Sequence, residues 1–210
     1  MHNIIVIGGG GHAKVVISLL QEKQAYNVLG YTDVTDRGPI LQVPYLGTDG
    51  DLPGLRNLRR VDSIAFGIGQ LDIGITRQTL FEQLQNDGFF FPSITSKSAV
   101  VFPDVTLGDG TVAMAGTVVN TGSQVGRGCI VNTHASIDHD CHIGDFVHVA
   151  PGVTIAGGVS IGHNCFLGAG STIIQGKTVA SMCIVGAGSL VLNDLVSPGV
   201  YLGSPAKKKA

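Results

Sequence analysis

Sixteen aliphatic residues set six apart, a second column of small residues, and a glycine-rich strand–loop–helix ahead of them together predict the fold. It is an α/β N-terminal domain, a small Rossmann-like parallel sheet over residues 1–93, followed by an all-β left-handed parallel β-helix of hexapeptide repeats over residues 94–210. Composition agrees with this division. The chain is 44 % hydrophobic and 13 % charged, and 31 of its 210 residues are glycine. That is about twice the usual ~7 %, as a chain with many tight corners requires.

The N-terminal part comes first in the chain. Asn3 to Ile7 reads as a buried strand, Gly8-Gly9-Gly10-Gly11 as a loop, and Val15, Val16, Leu19 and Leu20 as one face of a helix. A second strand runs from Asn27 to Tyr31 and ends in Thr32-Asp33. A third runs from Asp62 to Gly69 and precedes a helix marked by Leu80, Phe81 and Leu84. In such a sheet a ligand sits at the carboxyl ends of the strands. The loop reads as Gly8-x-Gly10-x-x-Ala13, a permissive dinucleotide fingerprint, and Asp33 falls where a ribose-binding acid would. Fewer than 100 residues cannot supply both halves of a dinucleotide fold. The ligand expected is therefore a mononucleotide or sugar nucleotide rather than NAD, unless the glycines serve only close strand–helix packing.

The repeat then takes over. Every sixth residue from Val101 to Val191 is aliphatic, 16 positions with no insertion. Four residues after each comes a small residue, as at Thr111, Ser123, Cys129, Cys141, Cys165 and Ser189, with Lys177 the departure. Each hexad makes one flat side and one corner, with the aliphatic residue inside and Gly, Asn or Asp where φ turns positive. Three hexads close a coil, giving about five coils and a prism roughly 25 Å tall at ~4.8 Å per strand. The four cysteines, 129, 141, 165 and 183, are separated by multiples of six, so they read as buried small residues rather than disulfides or metal ligands. The tail from Asp194 to Ala210 leaves the period and should cap the prism.

Charge narrows the function. A net charge of −2 gives no footprint for nucleic acid. Lys207-Lys208-Lys209 is the one charge run, a solvated tail or a phosphate contact. Neither a secretory leader nor an apolar run of ~20 residues is visible, which leads to the expectation of a soluble cytoplasmic protein with no membrane insertion.

Four of the seven histidines crowd into Thr133–Val149, and Asp138-His139-Asp140 is the notable group. An amine that attacks an acyl carbon must shed a proton, and a histidine near its ordinary pKa of ~6.5 takes it at neutral pH. A flanking carboxylate fixes the ring and raises its basicity. Either acid could serve, with Asp140 favoured. The alternative is a solvated polar corner.

Taken together, the Gly-His loop, the short nucleotide-type domain, Ile137-Asp138-His139-Asp140-Cys141 and the closing Gly203-x-Pro205-Ala206-Lys207 resemble the sialic acid and bacillosamine acetyltransferase family. The likeness covers essentially the whole chain and is nearest to the nucleotide-sugar N-acetyltransferases for perosamine and viosamine-type 4-amino-4,6-dideoxy sugars. It implies a bacterial enzyme of surface-glycan (O-antigen, lipopolysaccharide) biosynthesis. Acetyl-CoA is its co-substrate, no metal is used, and the assembly is a homotrimer. By the resemblance His139 is the general base and Asp140 its partner. His148 meets the thioester region and is one candidate oxyanion donor, beside backbone N–H groups. Ala169 and Ala187 line the CoA channel between subunits. Gly10, Gly11, His12, Asp33, Gly69 and Asn132 hold the nucleotide sugar. Three other readings stay open: O-acetylation of sialic acid, a zinc site on His134 and His139 like that of the gamma-class carbonic anhydrases, and a non-catalytic nucleotide-sugar-binding solenoid.

Overall fold

A computed structural model describes residues 2–23, 25–61 and 63–209 apart from residues 60 and 74, and all but the side chain of residue 59. The N-terminal unit is a three-stranded parallel sheet of β1 (His2–Ile7), β2 (Tyr26–Thr32) and β3 (Ser63–Phe66), in the order β2-β1-β3. Helix α1 (Gly11–Lys23) follows β1, α2 (Leu52–Arg59) precedes β3, and α3 (Ile75–Asn86) follows it. β1 is apolar on both faces because both are covered, and Ile4, Ile5, Val6 and Ile7 are all fully buried.

Three details differ from the sequence reading. Helix α2 is additional. Pro53 is its second residue, and proline is tolerated in a first helical turn, where its missing N–H has no partner to lose. Asp51 accepts the Thr48 N–H at 2.8 Å just ahead of it. β3 is shorter than expected: Asp62 lies outside the described residues, and Gly67 to Gly69 have already left the sheet. In α1 the buried face is Ala13, Val16, Ile17, Leu19 and Leu20, whereas Val15 is 40 % exposed and turns to a cavity.

The hexads form a three-faced parallel solenoid of the left-handed β-helix class. Its strands run from Ile94–Thr95 to Leu190–Val191 and, together with Gly199–Leu202 and Lys207–Lys208, stack in sheets of eight, six and five. Partners lie 18 residues apart, as in Ile130 with His148 and Ile137 with Ile155. One more hexad than expected opens the prism, at Ile94–Thr95, so there are about six coils. Threonine in the aliphatic slot hid it. The interior column from Val119 to Val191 is buried throughout, and the four free cysteines of the small-residue column are buried against it. Corners take positive φ at glycines such as Gly122 (72°) and Gly158 (66°), and also at His134, Asp140, Phe146, Asn164 and Met182. After Leu195, Gly199–Leu202 stacks beneath Cys183–Val185 and pairs antiparallel with Lys207–Lys208, capping the last coil.

The N-terminal unit docks on the eight-stranded face through two cores. Ala13, Val16 and Ile17 of α1 pack with Ile94, Val112, Met114 and Ile130 of the solenoid. Phe146 leaves its corner to join Phe66, Phe81 and Phe91, meeting the Phe81 ring edge-on at 5.3 Å.

Candidate active site

Where the two units meet, a cavity of about 620 Å³ opens. Its lining includes Gly10, Gly11, His12, Asp33 and Gly69 from the N-terminal unit and Asn132 and His148 from the solenoid. All six residues expected at a nucleotide sugar thus face one space, joined by His148. Helix α1 begins at Gly11, which lines the cavity, so the positive end of the helix lies there, the polarity that suits a phosphate. A Cβ built on Gly10 or Gly11 meets nothing within 4 Å, whereas one on Gly9 falls 2.7 Å from the Tyr31 ring. The loop is therefore open towards the cavity and tight behind. Asp33 holds it in that shape: Oδ2 accepts the Gly9 N–H at 2.6 Å and Oδ1 the Thr35 N–H at 3.0 Å.

The floor of the cavity is a buried polar junction. His148, 6 % exposed, donates from Nδ1 to the Gln70 carbonyl at 2.5 Å. Its Nε2 accepts from Asn132 Nδ2 at 3.1 Å, and the Asn132 amide is fixed because its oxygen accepts the Thr133 N–H. Burial is the main cause that lowers His148 to about 4, with the Arg77 charge adding to it. Burial likewise lowers His12 to about 3. Both rings are neutral at neutral pH. This removes His148 as an oxyanion donor, since its one ring proton is spent on Gln70 and Nε2 carries a lone pair. Gln70, which sequence alone did not single out, also donates from Nε2 to the Phe146 carbonyl at 3.1 Å and so ties the two units together. Buried Arg77 donates to the carbonyls of Ile68 and Gly128, and its charge is desolvated enough to bring it down to about 10.

His139 and Asp140 lie elsewhere, on the corner between the six- and five-stranded faces. His139 Nδ1 donates to Asp140 Oδ2 at 2.8 Å, which leaves Nε2 free. The side chains are 55 % and 73 % exposed. The Asp140 hydrogen bond, then the charges of Asp138 and Asp140, hold His139 above its ordinary value. Asp140 reaches back because its own φ is +57°, so neighbouring side chains that would diverge on a strand converge at this corner. Asp138 instead accepts the His139 backbone N–H at 2.8 Å. Of the two flanking acids, the structure gives the ring to Asp140.

Ala169 and Ala187 stack on a third line, the corner between the eight- and six-stranded faces, with Gly188 N–H donating to the Ala169 carbonyl at 2.9 Å. Both alanines are exposed. Cβ atoms built on Gly152, Gly170 and Gly188 in the same corner meet nothing within 4 Å. This ledge of bare backbone runs down the edge that also carries Asn132 and Thr133 at the cavity. His134 sits on this corner and His139 on the next, so the two do not converge as metal ligands. Among the described residues no group of three His, Cys, Asp or Glu side chains is placed to hold a metal.

A hexapeptide prism that carries a His–Asp pair on one corner and a nucleotide-type cavity along another edge defines a hexapeptide-repeat transferase. Residues 3–84 match the PglD N-terminal domain and residues 140–175 the bacterial transferase hexapeptide (six repeats). PerB from Caulobacter crescentus, solved with CoA and GDP-perosamine, is 39 % identical, with 100 % of this chain and 98 % of that one covered and a TM-score of 0.93. The acetyltransferase domain of PglB from Neisseria gonorrhoeae, solved also with acetyl coenzyme A, is 33 % identical with a TM-score of 0.92. In that comparison 99 % of each chain is covered. The chain belongs to the sialic acid and bacillosamine family of hexapeptide-repeat sugar acetyltransferases.

Proposed function

We propose that this protein is an acetyl-CoA-dependent N-acetyltransferase. It would acetylate the C4 amine of a nucleotide-linked 4-amino-4,6-dideoxy sugar, in the cytoplasm, for bacterial surface-glycan biosynthesis. The observation that carries the reading is the His139–Asp140 pair, with Nδ1–H on the carboxylate and Nε2 free. PerB, similar over the whole chain, is described with CoA and GDP-perosamine, which supports the two substrates.

In this reading residues 1–93 hold the nucleotide sugar. The α1 N-terminus and Gly10-Gly11 face its diphosphate, and His12, Asp33, Gly69 and Asn132 line the rest. His148 and the Ala169–Ala187 ledge contact acetyl-CoA, which supplies the acetyl group as a thioester. His139 Nε2 removes the proton from the C4 amine as its nitrogen bonds to the acyl carbon. The C–S bond breaks, and the proton on His139 passes to the departing thiolate. No residue is acylated. Backbone N–H groups are the donors left for the carbonyl oxygen. Within one chain the cavity and His139 lie on different edges of the prism, which supports a homotrimer whose sites combine two subunits.

The test is CoA release from acetyl-CoA with UDP-, GDP- and dTDP-linked 4-amino-4,6-dideoxyhexoses and free sialic acid, using wild type and His139→Ala. Turnover on one amino-sugar nucleotide, lost by on the order of 10²-fold or more in the variant, is the expected result. Turnover on sialic acid alone would move the chemistry to O-acetylation. Absence of turnover on every acceptor would leave a binding protein.

A further inference from the structure

The 18-residue coil period places one residue directly before and one directly after the catalytic corner, and both carry unusual features. Two positions beyond each interior aliphatic residue, the hexads from Pro103 to Ala187 present fifteen corner residues. Gly157 is the only glycine among them, and it stands 18 residues after His139. The turn does not need it, since Gly158 next to it already supplies the positive φ of 66°. Gly157 itself lies outside the left-handed region, so an L-residue could adopt its backbone. What it lacks is room: a Cβ there would sit 2.5 Å from His139 Nε2 and 2.6 Å from Cε1. The reacting edge of the imidazole therefore lies over bare backbone.

On the other side, Asn120 stands 18 residues before Asp138. It donates from Nδ2 to Asp138 Oδ1 at 2.9 Å, while its own oxygen accepts the Thr121 N–H at 2.8 Å. The same Asp138 oxygen accepts the His139 N–H. Asp138 is also fixed through its backbone, where its carbonyl accepts the Ser123 hydroxyl at 2.6 Å. The charged groups facing His139 are Asp138 and Asp140 from its own corner. Asp104 on the preceding side is occupied with Thr121 and Gly122, and the following coil offers the uncharged Gly157-Gly158.

We propose that Asn120 and Gly157 are positioning residues of the catalytic base. Asn120 acts through Asp138 to hold the His139 backbone, and Gly157 gives the ring the only lie that keeps Nδ1 on Asp140 with Nε2 exposed. The proposal rests on His139 being the base.

The experiment compares wild type, Asn120→Ala, Gly157→Ala, His139→Ala and the Gly157→Ala/His139→Ala double variant. Readouts are kcat and KM for both substrates, the acid limb of kcat against pH, and 15N NMR titration of the His139 ring in the resting enzyme. Gly157→Ala should lower kcat by on the order of 10²-fold, and Asn120→Ala by about tenfold, with KM within about twofold. The His139 titration should move to lower pH in both. In the double variant alanine at 157 should add nothing to the loss caused by His139→Ala. The ring titration needs no turnover, so a poorly active variant still reports. Wild-type kcat and titration in both single variants, beside an inactive His139→Ala, would overturn the positioning roles and leave the base standing. Full activity in His139→Ala would overturn both.

Discussion

Acid should loosen the junction between the two units through a ring that cannot take a proton where it sits. His148 is held at about 4 in the folded chain, mainly by burial, against ~6.5 when unfolded. Above pH ~6.5 neither state is protonated and the ring has no effect on stability. Between ~6.5 and ~4 the unfolded chain binds a proton that the folded chain refuses, so stability falls as pH falls. At about pH 5 the gap used is about 1.5 units, which at ~1.4 kcal/mol per unit is about 2 kcal/mol. The cost levels off near 3.5 kcal/mol below pH ~4. His148→Gln removes the titration and keeps a polar side chain beside the Asn132 amide. Urea unfolding followed by circular dichroism at fixed chain concentration, at about pH 7.5 and about pH 5, measures both proteins. Wild type should lose about 2 kcal/mol more than the variant over that interval. His12, held at about 3 by the same burial, supplies a further acid-sensitive loss common to both proteins. Equal losses, or a His148 ring that titrates near 6.5 by NMR, would refute the buried neutral tautomer. The assignment of Nδ1–H to the Gln70 carbonyl would fall with it.

Two other outcomes follow from single contacts. Phe146 is fully buried at φ +55°, so Phe146→Ala should cost roughly 3–5 kcal/mol. Phe146→Gly, though smaller, should cost about 1 kcal/mol less because it relieves the left-handed strain; urea unfolding of the two side by side checks the order. Asp140→Asn removes the carboxylate charge behind the hydrogen bond that does most to hold His139 above its ordinary value, so the acid limb of kcat should move to lower pH while maximal kcat falls, read from a pH–rate profile.

The solenoid was legible because each interior slot is filled by one residue type at an unbroken interval, from Val101 to Val191. It stopped being legible at Ile94–Thr95, where threonine fills the slot: no coil precedes this first strand, and the residue is only half-buried. Helix α2 was hidden by its eight-residue length and by the proline and glycine in its first turn. The cavity residues could be listed from the glycine loop and the family likeness. That seven of them share one space depends on docking between units, which Phe146 and Gln70 secure and no periodicity announces. His148 shows the same limit: its spacing from His139 says which face it occupies, whereas its tautomer is set by a carbonyl 78 positions away in sequence. Asn120 and Gly157 were readable in principle, since a step of 18 from Asp138 and His139 reaches them. The step has meaning only once three hexads are known to close a coil.

The position of the transferred acetyl group tests N-acetylation most directly. Acetyl-CoA labelled with 13C at the carbonyl, incubated with the enzyme and the amino-sugar nucleotide that releases CoA, gives a product whose bonding NMR reads outright. A labelled amide carbon joined to the nitrogen at C4 is the expected result. A labelled ester on a sugar hydroxyl, with the C4 amine unchanged, would contradict N-acetylation.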